Sequence, residues 1–164
     1  MTTIGILSDT HRTRCDEDFR RHCARVFSDC TIIAHAGDLT DISVLTAFSG
    51  KDVYAVHGNM CSHLTRKSLP EQQTFVVDGY TIGLCHGAGN RHNIEERMAA
   101  LFPSVDCIIY GHTHAPACHI RGTTLFINPG SFQGTGRYGA PGTYALLTTG
   151  NSGLHGSLHE LPQP

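Results

Sequence analysis

The first third of the chain alternates short apolar runs with amphipathic segments. Residues 3–7, 31–35 and 53–57 are apolar runs that each end at a polar cluster, as a buried strand that leads into a loop does. Between them, residues 16–28 and 42–48 carry apolar side chains at helical spacing. The order strand, helix, strand, helix, strand predicts parallel strands joined by crossover connections.

The second half of the chain predicts hairpins and one more helix. Asp78-Gly79, a pair typical of a two-residue turn, lies between the strand-like runs 74–77 and 80–85. A helix is predicted over 94–102, with Asn93 as its cap. The remaining strand-like runs are 106–110, 117–121, 124–128, 143–148 and 154–159. Because no linker or repeat separates the two halves, we expect one mixed α/β domain over residues 1–164.

Polar clusters with metal-ligand chemistry follow five of the predicted strands. Such strand ends meet at one edge of a parallel sheet, where sites gather. The candidate ligands are Asp9, His11, Asp38, Asn59, His86, His112 and His114. Oxygen and imidazole donors without thiolate suit manganese, iron, nickel, cobalt or zinc better than magnesium or calcium. The sequence therefore predicts a two-metal site that makes a nucleophile from water and binds a phosphate.

Taken singly, these motifs have ordinary structural explanations. Ser-Asp-Thr-His after a strand can be a helix cap, and Gly-Asp or Gly-Asn is usually a turn. Gly-His-Thr-His is more specific, because paired histidines have few structural uses. Their joint occurrence at strand ends is what favours a metal site.

Composition narrows the possible partners and location. The net charge of −2 gives no bias toward nucleic acid or an anionic membrane. No run approaches the roughly 20 apolar residues that cross a bilayer, and the first residues lack a basic secretory leader. Seven cysteines without a Cys-x-x-Cys pair are expected to be reduced thiols. We expect a cytoplasmic protein with a small phosphodiester substrate, no membrane contact and no clear nucleic-acid surface; a homo-oligomer stays open.

The series of motifs resembles the calcineurin-like metallophosphoesterase superfamily. In chain order the motifs are SDTH, HAGD, HGN, CHG, GHTH and Asn128-Pro129-Gly130-Ser131. The chain length and the last motif make it similar to the small prokaryotic phosphodiesterase branch, over residues 4 to about 148. The resemblance implies a four-layer α-β-β-α sandwich of two mixed sheets flanked by helices, with a dinuclear metal site at the carboxyl ends of strands.

The resemblance also implies a role for each candidate ligand. One metal would be held by Asp9, His11, Asp38 and His114, and the other by Asp38, Asn59, His86 and His112. Mn²⁺ is the first candidate for both, with Ni²⁺, Fe²⁺, Co²⁺ or Zn²⁺ as alternatives. The implied reaction is hydrolysis of small phosphodiesters by a metal-bridging hydroxide, with Asp38 and Asn59 among the catalytic residues. His35 and His57 lie inside the motifs near the site, and Arg137 matches an arginine that follows the last motif.

One position departs from the family pattern. Many members have a histidine directly after the motif asparagine, where it protonates the leaving group, but this chain has Met60. Two nearby residues, His57 and His63, are the candidate acids. Proton donation to the leaving group typically contributes about 10²–10⁴-fold to the rate of hydrolysis. An enzyme with a weaker acid should therefore prefer activated or nucleotide-like esters.

Two other functions remain open on the same fold. A phosphomonoesterase, including a phosphoprotein phosphatase, would use the same metal ligands. A non-catalytic scaffold would bind proteins through its surface, and such relatives tend to have lost ligands. The full ligand set of this chain favours an enzyme.

Overall fold

The computed structural model describes residues 1–134 and 139–163. The strands are β1 (Thr3–Leu7), β2 (Ile32–His35), β3 (Asp52–Ala55), β4 (Gln72–Val77), β5 (Tyr80–Cys85), β6 (Cys107–Ile109), β7 (Ala117–Arg121), β8 (Thr124–Asn128), β9 (Thr143–Gly150) and β10 (Gly153–Glu160). The helices are α1 (Glu17–Val26), α2 (His63–Ser68), α3 (Ile94–Leu101) and a 3-10 helix (Ile42–Phe48). Among the described residues, no helix is long and apolar enough to cross a membrane.

The strands form two mixed five-stranded sheets. The first has the order β10-β9-β1-β2-β3, with β1, β2 and β3 parallel and β9 antiparallel to β1. The second has the order β4-β5-β6-β8-β7, with β5, β6 and β8 parallel. Each sheet therefore contains three adjacent parallel strands. The loops that carry the candidate ligands follow the carboxyl ends of these strands.

Three apolar clusters lie between the four layers of the fold, which are two sheets with helices on their outer faces. The first cluster lies between the sheets and joins side chains such as Ile6 of β1 and Ile109 of β6. The second packs α1 and the 3-10 helix on the outer face of the first sheet, and the third packs α3 on the second sheet. The predicted α-β-β-α sandwich of two mixed sheets flanked by helices is confirmed.

Local sequence explains several of these elements. Gly5 lets the Phe27 ring lie against β1, because a Cβ at position 5 would lie 2.4 Å from that ring. Asp16 caps α1 by accepting the Phe19 amide at 2.9 Å, and Asp41 caps the 3-10 helix through Ser43. Asp78 and Gly79 both have positive φ, as the predicted two-residue turn requires.

Two features of the helices differ from the sequence pattern. Asn93 is the N-cap residue of α3, as predicted, but its side chain makes no cap hydrogen bond: its Oδ1 accepts from Arg97 Nε at 3.3 Å instead. Helix α2 had not been predicted, because six residues are too few to show an amphipathic period. Its signal is the cap alone, Ser62 Oγ accepting the Thr65 amide at 3.3 Å.

Candidate metal centre

The carboxyl ends of β1, β2, β5 and β6 bring their polar loops together. The Asp9 amide donates to the Gly37 carbonyl, and the His11 amide to that of Asp38, both at 3.0 Å. The Gly111 amide donates to the His86 carbonyl at 3.1 Å. These bonds pair the loops within each sheet, so that ligands from distant parts of the chain meet.

A first cluster forms around the buried carboxylate of Asp9. His114 Nε2 lies 3.1 Å and His11 Nε2 lies 3.6 Å from Asp9 Oδ1. The three ligand atoms lie within 4.8 Å of one another, a spacing that suits one bound ion. The side chain of Asp9 is fully buried and that of His11 is a quarter exposed, so this cluster reaches from the interior toward solvent.

A second cluster places His86 against two carboxylates. Its Nδ1 lies 2.7 Å from the Ala36 carbonyl, which only accepts, so Nδ1 carries the proton and donates. Its Nε2 lies 3.2 Å from Asp38 Oδ2 and 4.0 Å from Asp9 Oδ1, and it is buried without a hydrogen-bond partner among the described residues. In neutral histidine this Nε2 presents a lone pair to two anions. Such an arrangement fits a cation held between them.

The electrostatics of the cluster favour charged carboxylates. Burial alone would raise the pKa of Asp9, but the neighbouring His11 and His114 outweigh it and bring that pKa well below its usual range. Burial likewise opposes ionisation of Asp38, yet His86 lowers its pKa. The pKa of His86 is raised: burial would lower it, but the two carboxylates prevail. Each of these two carboxylates therefore lies against imidazole rings that stabilise its charged form.

His112 is held by the loop that follows β5. Its Nε2 donates to the Gly89 carbonyl at 2.9 Å, which leaves Nδ1 as the ligand atom, and its ring lies 5.2 Å from that of His86. Arg97 of α3 fixes the same loop through the Gly87, Ala88 and Asn90 carbonyls at 2.9, 3.0 and 2.6 Å. Sequence reasoning missed this arginine, since a charged residue on an amphipathic helix gives no sign that it supports a site.

Asn59 and His57 lie beside these clusters without joining them. Together with His86 they line a cavity of about 140 Å³ at the end of β3. The side chain of Asn59 is exposed, while His57 is half-buried. The structure leaves the other candidate acid, His63, exposed at the first position of α2 and outside the lining of this cavity. Arg137 falls outside the described residues.

The backbone is strained at the candidate ligands. Seven non-glycine residues in ranges 1–134 and 139–163 have positive φ, and five of them are candidate ligands: Asp9, His11, Asp38, His112 and His114. A left-handed conformation of a non-glycine residue costs of order 1–3 kcal/mol and persists only where the surroundings impose it. The concentration of strain at these residues indicates that the fold is built to present them.

Residues behind the ligands fix their positions. Ser8 Oγ donates to Asp9 Oδ2 at 2.6 Å, and Ser131 Oγ donates to the Asp9 carbonyl at 3.2 Å. Asn128 Nδ2 donates to the Gly111 carbonyl at 3.1 Å and to Thr113 Oγ1 at 2.9 Å. The Asn-Pro-Gly-Ser segment thus supports both the first and the last loop of the site.

Close approach explains the glycine of the Gly-Asn motif. A Cβ at position 58 would lie 2.2 Å from Asp38 Oδ1 and 2.7 Å from the Asp38 amide. The following Met60 amide donates to the same Asp38 oxygen at 2.7 Å. Only glycine at position 58 lets this loop approach the carboxylate closely enough to make that bond.

His35 has a structural role beneath the cluster. It is fully buried, accepts the Gly37 amide on Nδ1 at 3.2 Å, and its Nε2 contacts Thr10 Oγ1 at 3.1 Å. Burial lowers its pKa from 6.5 to about 3, so this ring is neutral at ordinary pH. Its two bonds hold Thr10, between Asp9 and His11, close to the turn that precedes Asp38.

We expect acid to destabilise the metal-free protein through His35. Between pH 6.5 and 3 the unfolded chain binds a proton at this residue and the folded chain does not, so stability falls by up to about 1.4 kcal/mol per pH unit. Histidines with raised pKa are protonated in both states below pH 6.5 and leave this slope unchanged. Urea unfolding of the wild type and of His35→Gln from pH 4.5 to 7.5 measures it. Parallel stability curves for the two proteins would contradict the assignment.

This combination of fold and site defines a class of metal-dependent hydrolases. The sequence profile of the calcineurin-like phosphoesterase superfamily domain matches residues 2–152. The chain is 32% identical over 133 residues to a probable metallophosphoesterase of Methanothermobacter thermautotrophicus, a match that covers 78% of this chain and 76% of that protein. The chain belongs to the calcineurin-like phosphoesterase superfamily.

Two further comparisons concern sequence and fold. A phosphodiesterase of Methanocaldococcus jannaschii is 27% identical over 146 residues, covering 80% of this chain and 84% of that protein. The crystal structure of Vps29 from Entamoeba histolytica in complex with Zn²⁺ is similar in fold, with a TM-score of 0.69, 19% identity and coverage of 98% and 100% of the two chains. Family membership supports phosphoester hydrolysis with bound metal, and the donor set described above fits such a metal.

Proposed function

We propose that the chain is a cytoplasmic, metal-dependent phosphodiesterase that hydrolyses small phosphodiesters and acts as one domain over residues 1–164. The observation that carries the proposal is the buried Nε2 of His86, aimed at the carboxylates of Asp9 and Asp38. Among the described residues this nitrogen has no hydrogen-bond partner, and a divalent cation between it and the two carboxylates would satisfy all three groups. The relative named as a phosphodiesterase supports the substrate class.

The proposed ligand assignment follows the family resemblance and agrees with the two clusters in part. Asp9, His11, Asp38 and His114 are proposed for one ion, and Asp38, Asn59, His86 and His112 for the other. In the geometry Asp9 belongs to both three-residue groups, while Asp38 joins only the group with His86. We retain Asp38 as the shared ligand because each of its oxygens faces a different element, Oδ1 the Met60 amide and Oδ2 His86. Mn²⁺ is proposed, with Ni²⁺, Fe²⁺, Co²⁺ or Zn²⁺ as alternatives for this donor set.

When bound, the two ions supply a water of lowered pKa and neutralise charge on the phosphate. The residues of this chain provide the rest of the chemistry. Asp9 and Asp38 stay ionised at neutral pH because their pKa values are lowered. The Ala36 carbonyl orients the ring of His86, and the Gly89 carbonyl orients the ring of His112. His57, which lines the cavity, is the better placed of the two candidate leaving-group acids.

The acid can be identified with matched esters. If His57 donates the proton, His57→Ala should reduce hydrolysis of an alkyl ester by about 10²-fold and that of an aryl ester far less, because a phenoxide leaves without help. His63→Ala, the matched control in α2, should change neither rate. Steady-state kinetics on bis(4-nitrophenyl) phosphate and on a dialkyl diester measure this. Equal losses on both esters would remove His57 from the role.

A phosphomonoesterase is the alternative with the same ligands. Met60 in place of the usual histidine argues mildly against it, since monoesters of alcohols need strong assistance to the leaving group. Turnover of 4-nitrophenyl phosphate is to be compared with that of bis(4-nitrophenyl) phosphate at equal Mn²⁺. We expect the diester to be favoured; faster turnover of the monoester would replace the proposed substrate class.

A non-catalytic scaffold that binds proteins is the second candidate function on this fold. A scaffold does not require bound metal for its role, whereas the proposed enzyme does. Metal analysis of protein purified without chelators, together with the diester assay, separates the two. Protein that turns over neither 4-nitrophenyl phosphate nor bis(4-nitrophenyl) phosphate, even with metal bound, would favour the scaffold. A homo-oligomer is compatible with either function.

A further inference from the structure

The cavity at the end of β3 adjoins the candidate metal centre directly. His86 lies in the second cluster and also lines the cavity, and the proposed ligand Asn59 lines it as well. A phosphate held at the metal centre therefore lies next to this space, and one of its ester groups must be accommodated nearby. The volume of about 140 Å³ matches the roughly 150 Å³ that accommodates a benzene molecule. It holds one small ring or a short polyol, and it is too small for a complete nucleoside.

Arg66 provides a fixed cation in the wall of the cavity. Its Nη2 donates to the Asn59 carbonyl at 2.5 Å and its Nε to the Cys61 carbonyl at 3.3 Å. These bonds hold the guanidinium beside the loop that contains Asn59 and Met60. Arginine has five N–H donors, so further donors remain for a ligand after these two bonds.

Glu71 provides an acceptor in the same wall. Within the part of the chain that the structure describes, its carboxylate makes no hydrogen bond or ion pair. An ionised carboxylate in this position accepts hydrogen bonds and disfavours a second anion beside it. A hydroxyl group can both donate to Glu71 and accept from Arg66, whereas an ammonium group satisfies only Glu71 and an anion only Arg66.

We propose that this cavity binds a hydroxyl-bearing ester alcohol of the substrate, a glyceryl or ribosyl group, through Glu71 and Arg66. This inference rests on the proposed phosphodiesterase function and narrows its substrate class to diesters of polyols. The cavity volume distinguishes the two ester groups. A glyceryl group fits entirely, whereas the ribosyl group of a nucleoside fits only with its base outside the cavity. Nothing in the sequence indicated that Arg66 or Glu71 lines a binding site. Both residues come after the Gly-Asn motif, on short segments that show no pattern of their own.

The test uses 4-nitrophenyl phosphodiesters that share one leaving group and differ in the second alcohol. The alcohols are propyl, 2,3-dihydroxypropyl, 2-aminoethyl and the 5′ position of uridine. For the wild type, kcat/KM should be at least about tenfold higher for the dihydroxypropyl than for the propyl ester, as expected for a hydrogen bond to a charged group. The uridine ester should show a similar gain if the ribosyl group is the natural occupant.

Two variants locate the preference in the cavity. Glu71→Ala should reduce the ratio of dihydroxypropyl to propyl kcat/KM to near one, and Arg66→Met should lower it together with a rise in KM for both esters. The matched control Glu17→Ala, an exposed glutamate on α1, should keep the wild-type ratio. Both cavity positions are exposed, so thermal unfolding should show that the variants fold.

The outcomes separate this inference from the function on which it rests. If the wild type releases nitrophenol from none of the esters in the presence of Mn²⁺, the phosphodiesterase function fails and the inference fails with it. If the propyl ester is hydrolysed but the wild-type ratio is near one, or Glu71→Ala keeps the ratio, only the cavity assignment is overturned. A preference for the aminoethyl ester would overturn it in favour of a cationic alcohol.

Discussion

Replacing Asp38 with asparagine is expected to lower kcat/KM for diester hydrolysis by about 10³-fold or more while the fold persists. The substitution keeps the shape of the side chain and an oxygen that accepts the Met60 amide, but it removes the charge that faces His86. Residues that merely support metal ligands typically contribute 10–100-fold, and a ligand shared by two ions should contribute more. The measurement is steady-state hydrolysis of bis(4-nitrophenyl) phosphate at saturating Mn²⁺.

The control for Asp38→Asn is Asp52→Asn, an exposed aspartate at the start of β3. It makes the same chemical change in the same sheet and should keep the wild-type rate. His112→Ala should lose most of the activity in the same way, because its ring is oriented by Gly89 toward the second cluster. Full activity of Asp38→Asn or His112→Ala, with metal bound, would refute the ligand assignment.

Removing metal is expected to abolish activity and to lower thermal stability. Without cations the chain loses the free energy of metal binding, and histidines are the ionisable groups left beside the carboxylates of Asp9 and Asp38. A ligand present at 100 times its dissociation constant adds about 2.7 kcal/mol to the folded state. Activity and the unfolding midpoint are to be measured after chelation and again after addition of Mn²⁺, Zn²⁺ or Mg²⁺.

The metal experiment has its own internal control. Asp38→Asn should show a smaller rise of the unfolding midpoint with Mn²⁺ than the wild type, because it loses one of the two carboxylates of the second cluster. The wild type should recover both rate and midpoint with Mn²⁺ and less with Mg²⁺, which prefers an all-oxygen shell. Chelated protein that keeps its rate and its midpoint would contradict a metal-dependent site.

The sequence was most informative where strand ends and chemistry coincide. Asp9, Asp38 and His86 each follow a buried apolar run by a few residues, and parallel strands bring such positions to one edge. The prediction succeeded there because strand periodicity and ligand chemistry are both local signals. It extended to the four-layer architecture only through the family resemblance.

Other features depend on contacts that no local pattern encodes. The antiparallel pairing of β1 with β9 joins Ile4 to Leu147, so nothing near either residue announces it. Arg66 and Arg97 act through carbonyls of loops whose course is set by tertiary packing. A charged residue on a short helix has the same appearance in sequence whether it faces solvent or supports a site.

The bond from Ser131 to the Asp9 carbonyl has a consequence for biosynthesis. Asp9 leaves the ribosome early, but Ser131, which holds it, is translated more than a hundred residues later, after β8. A nascent polypeptide therefore cannot complete this part of the candidate metal centre until residue 131 has been synthesised and has left the ribosome. Products that end before Ser131 should accordingly lack the proposed hydrolase activity.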